Sequence, residues 1–309
     1  MPGRFACSLT YHTPMLAIAV TILDLLVLWL AGWGGLVLTI VVLITIMLVV
    51  SIRYAGTRPA GLELDFTARL LWFCGEVAAA LSLFLFWLPA ERWMMARDNL
   101  GPRRDAAPVL LIHGYVNNAG ALWRLWQQLC AAGLRVHTIN LEPVYADIDS
   151  YTPLLAARID AIRAQTGADA ITLVCHSMGG LAARAYLRHC QVTQRAHGLT
   201  KIVTLGTPHH GTVFAKLERS TNGRQMHPHS AWLTSLADHE RGAWPCPLVS
   251  IYSMDDNVVV PPTSADLAGA RNIPLAGIGH ISLPLARRVI DLVLAEVVPP
   301  LSPGPAAPP

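Results

Sequence analysis

Residues 170–176 run Ala-Ile-Thr-Leu-Val-Cys-His like a buried strand. The chain then turns on Ser177 and continues Met-Gly-Gly-Leu-Ala-Ala-Arg-Ala-Tyr-Leu-Arg like a helix. A strand passing into a helix through one serine constrains the fold tightly. The turn must hold the serine in a strained backbone conformation with its hydroxyl presented, and small neighbours must let strand and helix approach closely. This is the geometry of a nucleophile elbow, usually written Gly-x-Ser-x-Gly. Here Cys175 replaces the first glycine and Gly179 keeps the second. A serine at a helix start is also a common N-cap, so the motif needs support from the rest of the chain.

Residues 103–298 continue the same alternation. Val109–His113 reads as a buried strand ending at Gly114, and Ala119–Ala132 has helical spacing with Leu122, Leu125, Trp126 and Leu129 on one face. Arg135–Asn140 is a second strand. Thr152–Gln165 is a helix begun by Thr152 as N-cap with Pro153 behind it, and it ends at Gly167. After the elbow come strands at Lys201–Gly206, Pro247–Tyr252 and Ala270–Leu275, then a closing helix at Ser282–Val297. Strands alternating with helices of this length make a mostly parallel sheet covered on both faces, with reactive groups gathered at the carboxyl ends of the strands.

The first hundred residues differ. The chain of 309 residues is 53% hydrophobic and only 14% charged, too apolar for one ordinary soluble domain. The excess lies in three runs, 15–31, 36–52 and 70–88, each near the length of about 20 residues that a membrane span needs. Tryptophans at 29, 33, 72, 87 and 93 sit at or near their ends, as interfacial anchors do. Two of the runs carry an acid. A mid-membrane carboxylate costs about 3 kcal/mol, so the third run, with Glu76, is near balance and suits the interface as well as a span. Glu76 and Asp24 are expected at helix–helix contacts or near headgroups.

The expectation is an N-terminal bundle of two to three transmembrane helices over 1–102, a catalytic domain over 103–298 and a disordered Pro-rich tail over 299–309. Successive hydrophobic runs argue against a cleaved signal peptide. Arginine clusters at 53–69 and 92–104 fall on opposite faces of a three-span bundle and leave its orientation open. The 6 cysteines have no metal-like or disulfide-like spacing, and a net charge of +3 is too small to imply nucleic acid.

A serine hydroxyl needs a base, and the base needs an orienting acid. His280 stands in a glycine-flanked loop after the last strand, and the intervening loop supplies two acids, Asp255 and Asp256. One of the pair is expected to brace the turn, a role that suits Asp255 better. The order Ser177, Asp256, His280 is nucleophile, acid, base. The oxyanion formed on an attacked carbonyl needs two fixed N–H donors. These are expected from Met178, which follows the nucleophile, and from Tyr115 in the loop after the first strand. His113 reads as a brace for that loop.

His113-Gly-Tyr, Cys-His-Ser177-Met-Gly-Gly, Leu205-Gly-Thr-Pro-His-His-Gly-Thr, Tyr252-Ser-Met-Asp-Asp-Asn-Val-Val and Gly279-His-Ile together resemble the small bacterial triacylglycerol lipases and esterases of the α/β-hydrolase superfamily. The elbow and its flanks are also similar to GPI inositol-deacylase-type hydrolases. The resemblance covers residues 108–297. It implies an α/β-hydrolase fold with Ser177 as nucleophile, His280 as base, Asp256 as acid ahead of the x-Val-Val segment, and Tyr115 and Met178 as oxyanion donors. It also implies that the Thr207-Pro-His-His-Gly loop lies near the active site. Cys175 departs from the pattern and is expected to change packing alone. His209 and His210 are adjacent histidines without the spacing of a metal site, and no metal or cofactor is expected.

The segment 208–247 is expected to cover the site as a small cap or to pad the sheet, with Ser230–Leu236 as a short amphipathic helix. A membrane anchor beside such a domain raises the effective concentration of acyl lipids. The expected function is therefore a membrane-anchored serine hydrolase of lipid or acyl esters, multi-pass in the bacterial inner membrane. The rivals are a thioesterase, acyltransferase or amidase using the same residues, or a membrane transport or scaffold protein with a degenerate hydrolase domain.

Overall fold

The computed structural model describes residues 35, 38–46, 48–49, 59–94, 98–240 and 244–298. The chain divides into two compact units, Met1–Leu43 and Ile44–Pro309. Of the expected spans, 15–31 lies outside the described residues, and the described residues between 35 and 49 are helical. One described helical run, Phe66–Trp93, is long and apolar enough to cross a membrane. A bundle of spans is therefore not what the described residues present.

The second unit holds a seven-stranded sheet in the order β1-β3-β2-β4-β5-β6-β7. Its strands are β1 (Asn99–Leu100), β2 (Val109–Ile112), β3 (Arg135–Ile139), β4 (Ile171–His176), β5 (Leu199–Leu205), β6 (Leu248–Ser253) and β7 (Arg271–Leu275). All pairs are parallel except β1, which lies antiparallel on β3 with Asn99 opposite Val136. The sheet thus begins ahead of the domain boundary expected at residue 103. Strand alternation sorts the core onto two faces. Leu110, Ile112, Leu173 and Cys175 pack with α4 (Thr152–Thr166) and α5 (Met178–Val192). Val109, Leu111, Val174, Val203 and Val249 pack with α3 (Trp123–Ala131) and α8 (Arg287–Val297). Helices cover both faces because both faces are apolar.

Two helix starts differ in detail from expectation. Thr152 is not the N-cap of α4: a 3-10 turn, Ile148–Tyr151, precedes it, Asp147 caps that turn, and the Thr152 hydroxyl donates to the Asp149 carbonyl at 2.8 Å. The closing helix starts at Arg287 after a separate turn at Leu283–Leu285. Gly167 ends α4 in the left-handed conformation, with φ 67°.

The segment ahead of the sheet packs on this unit. Helix α1 (Phe66–Ser82), N-capped by Asp65, runs through a π-helical turn at Leu83–Trp87 into α2 (Leu88–Met94). Its buried stripe, Trp72, Glu76, Ala79, Ala80 and Leu83, follows the helical repeat. Phe66, Leu70, Leu71, Phe84 and Phe86 remain exposed. Trp87 stacks on Trp123, and the Asn118 side-chain amide donates to the Leu88 carbonyl at 3.0 Å. Among the described residues, Glu76 receives hydrogen bonds from the 281–282 backbone, which offset part of its desolvation.

Within 208–247, α6 (Thr221–Gln225) is short, and α7 (Ala231–His239), N-capped by Ser230, puts Leu233 into the α5 face of the core and buries Leu236. That helix pads the domain. Buried Arg184 of α5 fastens it by a bidentate bond to Glu240, at 2.8 and 2.6 Å, and donates to the His209 carbonyl at 2.9 Å. Glu240→Ala leaves this guanidinium buried without its countercharge. It should cost about 2–3 kcal/mol, read as a lower denaturant midpoint at unchanged slope.

Candidate active site

Order reverses between β2 and β4, so the loops leaving their carboxyl ends diverge and open a crevice at a topological switch point. Ser177 leaves β4 into that crevice with φ 54° and ψ −127°, a strained backbone for a non-glycine residue. The fold holds it there. The Ser177 N–H donates to the Leu205 carbonyl at 2.9 Å, and the Thr207 hydroxyl donates to the Ser177 carbonyl at 2.9 Å. Close approach makes two glycines necessary. A Cβ at Gly114 would lie 2.7 Å from the Ser177 Cβ, and one at Gly179 would lie 2.6 Å from the His113 carbonyl oxygen. Ser177 occupies the N-cap position of α5, yet its side chain caps no helix N–H. The hydroxyl turns to His280 instead.

His280, in the loop after β7, places Nε2 3.0 Å from the Ser177 Oγ. Its Nδ1–H donates to Asp256 Oδ2 at 2.8 Å. Asp256, in the loop after β6, is held in turn by the Val258 and Val259 N–H groups, which donate to Oδ1 at 2.8 and 2.7 Å. All three residues are buried. Asp255 takes the bracing role: its Oδ2 accepts from the Gly277 N–H at 2.8 Å. Asn257 accepts from the His280 N–H at 2.9 Å, and the His176 Nε2–H donates to the His280 carbonyl at 3.1 Å. The histidine is thus held at both ring and backbone.

Burial favours neutral His280, but the charge and hydrogen bond of Asp256, with a further contribution from Glu76, keep its pKa above the ordinary 6.5. Its neighbours go the other way. Burial takes His176 down to about 3, helped by nearby His280, and takes His113 down to about 4. Neutral His113 braces the loop as expected, donating from Nδ1 to the Gly114 carbonyl at 2.8 Å and accepting the Leu141 N–H at 2.9 Å. His209 lies against Arg184 and Thr204 in the same way. Burial also raises the pKa of Cys175, so this thiol is neutral packing between β4 and α5.

Tyr115 follows Gly114 beside the serine, and Met178, first residue of α5, has no intrahelical acceptor for its N–H. The Tyr115 hydroxyl donates to Glu218 Oε2 at 2.8 Å and shares a hydrogen bond with Ser220 at 2.9 Å. The first part of the 208–247 segment therefore steadies the Tyr115 loop. Next to His280 is a cavity of about 30 Å³ lined by Leu83, Trp87, Asn117, Ala121, His176, Ile281, Pro284 and Leu285. Two of these, Leu83 and Trp87, come from the π-helical turn after α1. The sequence offered no pattern to place that turn here, because the contact joins segments about 200 residues apart in the chain.

A family model described as palmitoyl protein thioesterase matches residues 108–240, which include Ser177 and stop short of Asp256 and His280. The structure of a Bacillus licheniformis lipase, BlEst2, in its mature form superimposes with a TM-score of 0.55 at 19% identity, covering 64% of this chain and 94% of that one. The propeptide form of the same lipase gives 0.56 at 19% identity, over 68% and 54%. The chain thus has the α/β-hydrolase fold. Triacylglycerol lipases of Pseudarthrobacter phenanthrenivorans and Burkholderia plantarii are each 31% identical to this chain over 117 residues. That stretch is 35% of the chain, and it spans only about a third of each relative, 35% and 31%.

Proposed function

We propose that this α/β hydrolase is a membrane-associated serine hydrolase that cleaves carboxylic esters of lipid or acyl substrates. The reading rests on one observation: a strained, presented Ser177 within 3.0 Å of His280, itself 2.8 Å from Asp256. Ser177 Oγ attacks the ester carbonyl carbon as its proton passes to His280 Nε2. The amides of Tyr115 and Met178 hold the oxyanion. The C–O bond breaks, His280 gives its proton to the departing alcohol, and the acyl group stays on Ser177. Water then attacks the acyl carbonyl carbon, losing a proton to His280; the bond from that carbon to Oγ breaks, His280 returns the proton to Ser177 Oγ, and the carboxylic acid leaves. No step requires a cofactor. Leu83, Trp87, Ile281 and Leu285 supply an apolar wall for an acyl chain, and these side chains must move apart to admit one.

The lipid setting is supported by the apolar runs at 15–31 and 36–52 and by the exposed apolar face of α1. With one face on the domain, and Phe66, Leu70 and Leu71 of α1 and Phe84 and Phe86 of the π-helical turn outward, this helical run suits a place along the membrane surface. The family match favours a second reading, acyl-thioester hydrolysis by the same groups.

The test is a fluorophosphonate probe together with matched ester, thioester and amide substrates on the full-length protein in detergent. Labelling at Ser177 with ester turnover is expected. A preference for the thioester of about tenfold or more selects the second reading. Neither labelling nor turnover would defeat both.

A further inference from the structure

Glu76 is a buried carboxylate that the acyl-transfer chemistry does not use, and it comes from a helix ahead of the sheet. It is fully buried. Its Oε1 accepts from the Ile281 N–H at 2.8 Å, and its Oε2 accepts from the Ser282 N–H at 3.1 Å and the Ser282 hydroxyl at 2.6 Å. Burying a carboxylate is expensive unless such donors meet it. All the donors here belong to the two residues that follow His280. A Cβ on Gly279, on the other side of His280, would collide with the Glu76 carboxylate. The loop therefore wraps the carboxylate on both sides of the histidine.

We propose that Glu76 is a positioning residue for His280: it anchors the 279–282 loop from helix α1 and, when ionised, adds a second negative charge behind the imidazolium that forms during catalysis. Asp256 orients the ring through Nδ1, whereas Glu76 holds the backbone that carries the ring. The charged or titratable groups facing His280 are Asp256 from the β6 loop, Glu76 from α1 and His176 from the end of β4. Only the two acids favour its protonated form, so the catalytic base depends on a segment outside the β-α alternation. The kinetic part of this inference rests on the ester-hydrolase reading, and the effect on the imidazole does not.

The experiment uses full-length protein in detergent, wild type and Glu76→Gln, with two readouts. One is kcat and KM on a short chromogenic ester against pH. The other is NMR titration of 13C-histidine-labelled protein, the His280 signal assigned by its loss in His280→Ala. Glu76→Gln is expected to lower kcat by about 10-fold or more with KM within about twofold, since the base rather than the acyl site is disturbed. It should also move the His280 midpoint down by about 0.5–1 unit. Gly279→Ala, at a backbone geometry open to alanine, displaces the carboxylate but keeps its charge. It should lower kcat with a smaller midpoint shift, and it serves if Glu76→Gln does not fold. Unchanged kcat and midpoint in the folded variant overturn the proposal. A wild type without esterase activity whose His280 midpoint still falls in Glu76→Gln refutes the ester reading and keeps the anchoring.

Discussion

Ser177→Ala is expected to lower kcat on a chromogenic acyl ester by about 10⁴-fold or more and to abolish fluorophosphonate labelling, with KM little changed. The size follows from what is removed. Among the described residues no other hydroxyl shares the 3.0 Å contact with His280 Nε2, so no acyl-enzyme is expected on the substituted chain. Oxyanion donors and binding would remain, leaving a residual rate above that of water alone. The substitution should not unfold the protein. It removes one oxygen from a site whose backbone N–H and carbonyl are held by the Leu205 carbonyl and the Thr207 hydroxyl. Alanine still has to adopt φ near 54°, so the thermal midpoint should stay level or fall slightly. Activity within tenfold of wild type in purified Ser177→Ala would refute the assignment of the nucleophile.

Asp256→Asn should lower kcat by about 10³–10⁴-fold, and its pH profile should identify the cause. An asparagine oxygen can still accept from Val258 and Val259, which turns the amide nitrogen toward His280. That NH₂ favours the imidazole tautomer with its proton on Nε2, where the lone pair must receive the Ser177 proton. The wrong tautomer costs more than the lost charge. The wild-type pH limb follows from the sign of the His280 shift. The base must be neutral, and its pKa lies above 6.5, so activity rises with pH through a midpoint above 6.5. Removing Asp256 takes away the chief influence opposing burial, so any residual limb should move to lower pH. A wild-type limb below 6.5, or a variant limb moved upward, would contradict this arrangement.

Much of this site was legible before the fold was known, because its parts sit at strand ends. Ser177, Asp256 and His280 each follow a strand that shows itself by apolar runs and glycine punctuation. A parallel sheet brings such ends together. The same logic placed Gly114-Tyr115 beside the elbow and assigned His113 to bracing. Between the adjacent acids it favoured Asp256 for the imidazole and Asp255 for the brace. In the fold, one carboxylate reaches the imidazole and the other reaches the Gly277 amide. The 3-10 turn ahead of Thr152 was hidden, and the choice between capping and padding for α7 was left open. Both depend on which side chains find partners across the sheet.

Glu76 marks the boundary between the two kinds of knowledge. In the sequence it is one acid in an apolar run, and such a run suits a membrane span, an interfacial helix or a buried helix equally well. Periodicity reports which face of a helix is apolar and says nothing of what covers it. The sequence by itself determined the β-α alternation, the turn at Ser177 and the order of Ser177, Asp256 and His280 at strand ends, since these follow from local pattern and chain direction. Only the tertiary structure decided that the third apolar run delivers Glu76 to the loop of the base and Leu83 with Trp87 to the cavity wall. Those contacts span 205 residues and depend on hydrogen bonds whose donors carry no local signature, being the main-chain N–H groups of Ile281 and Ser282.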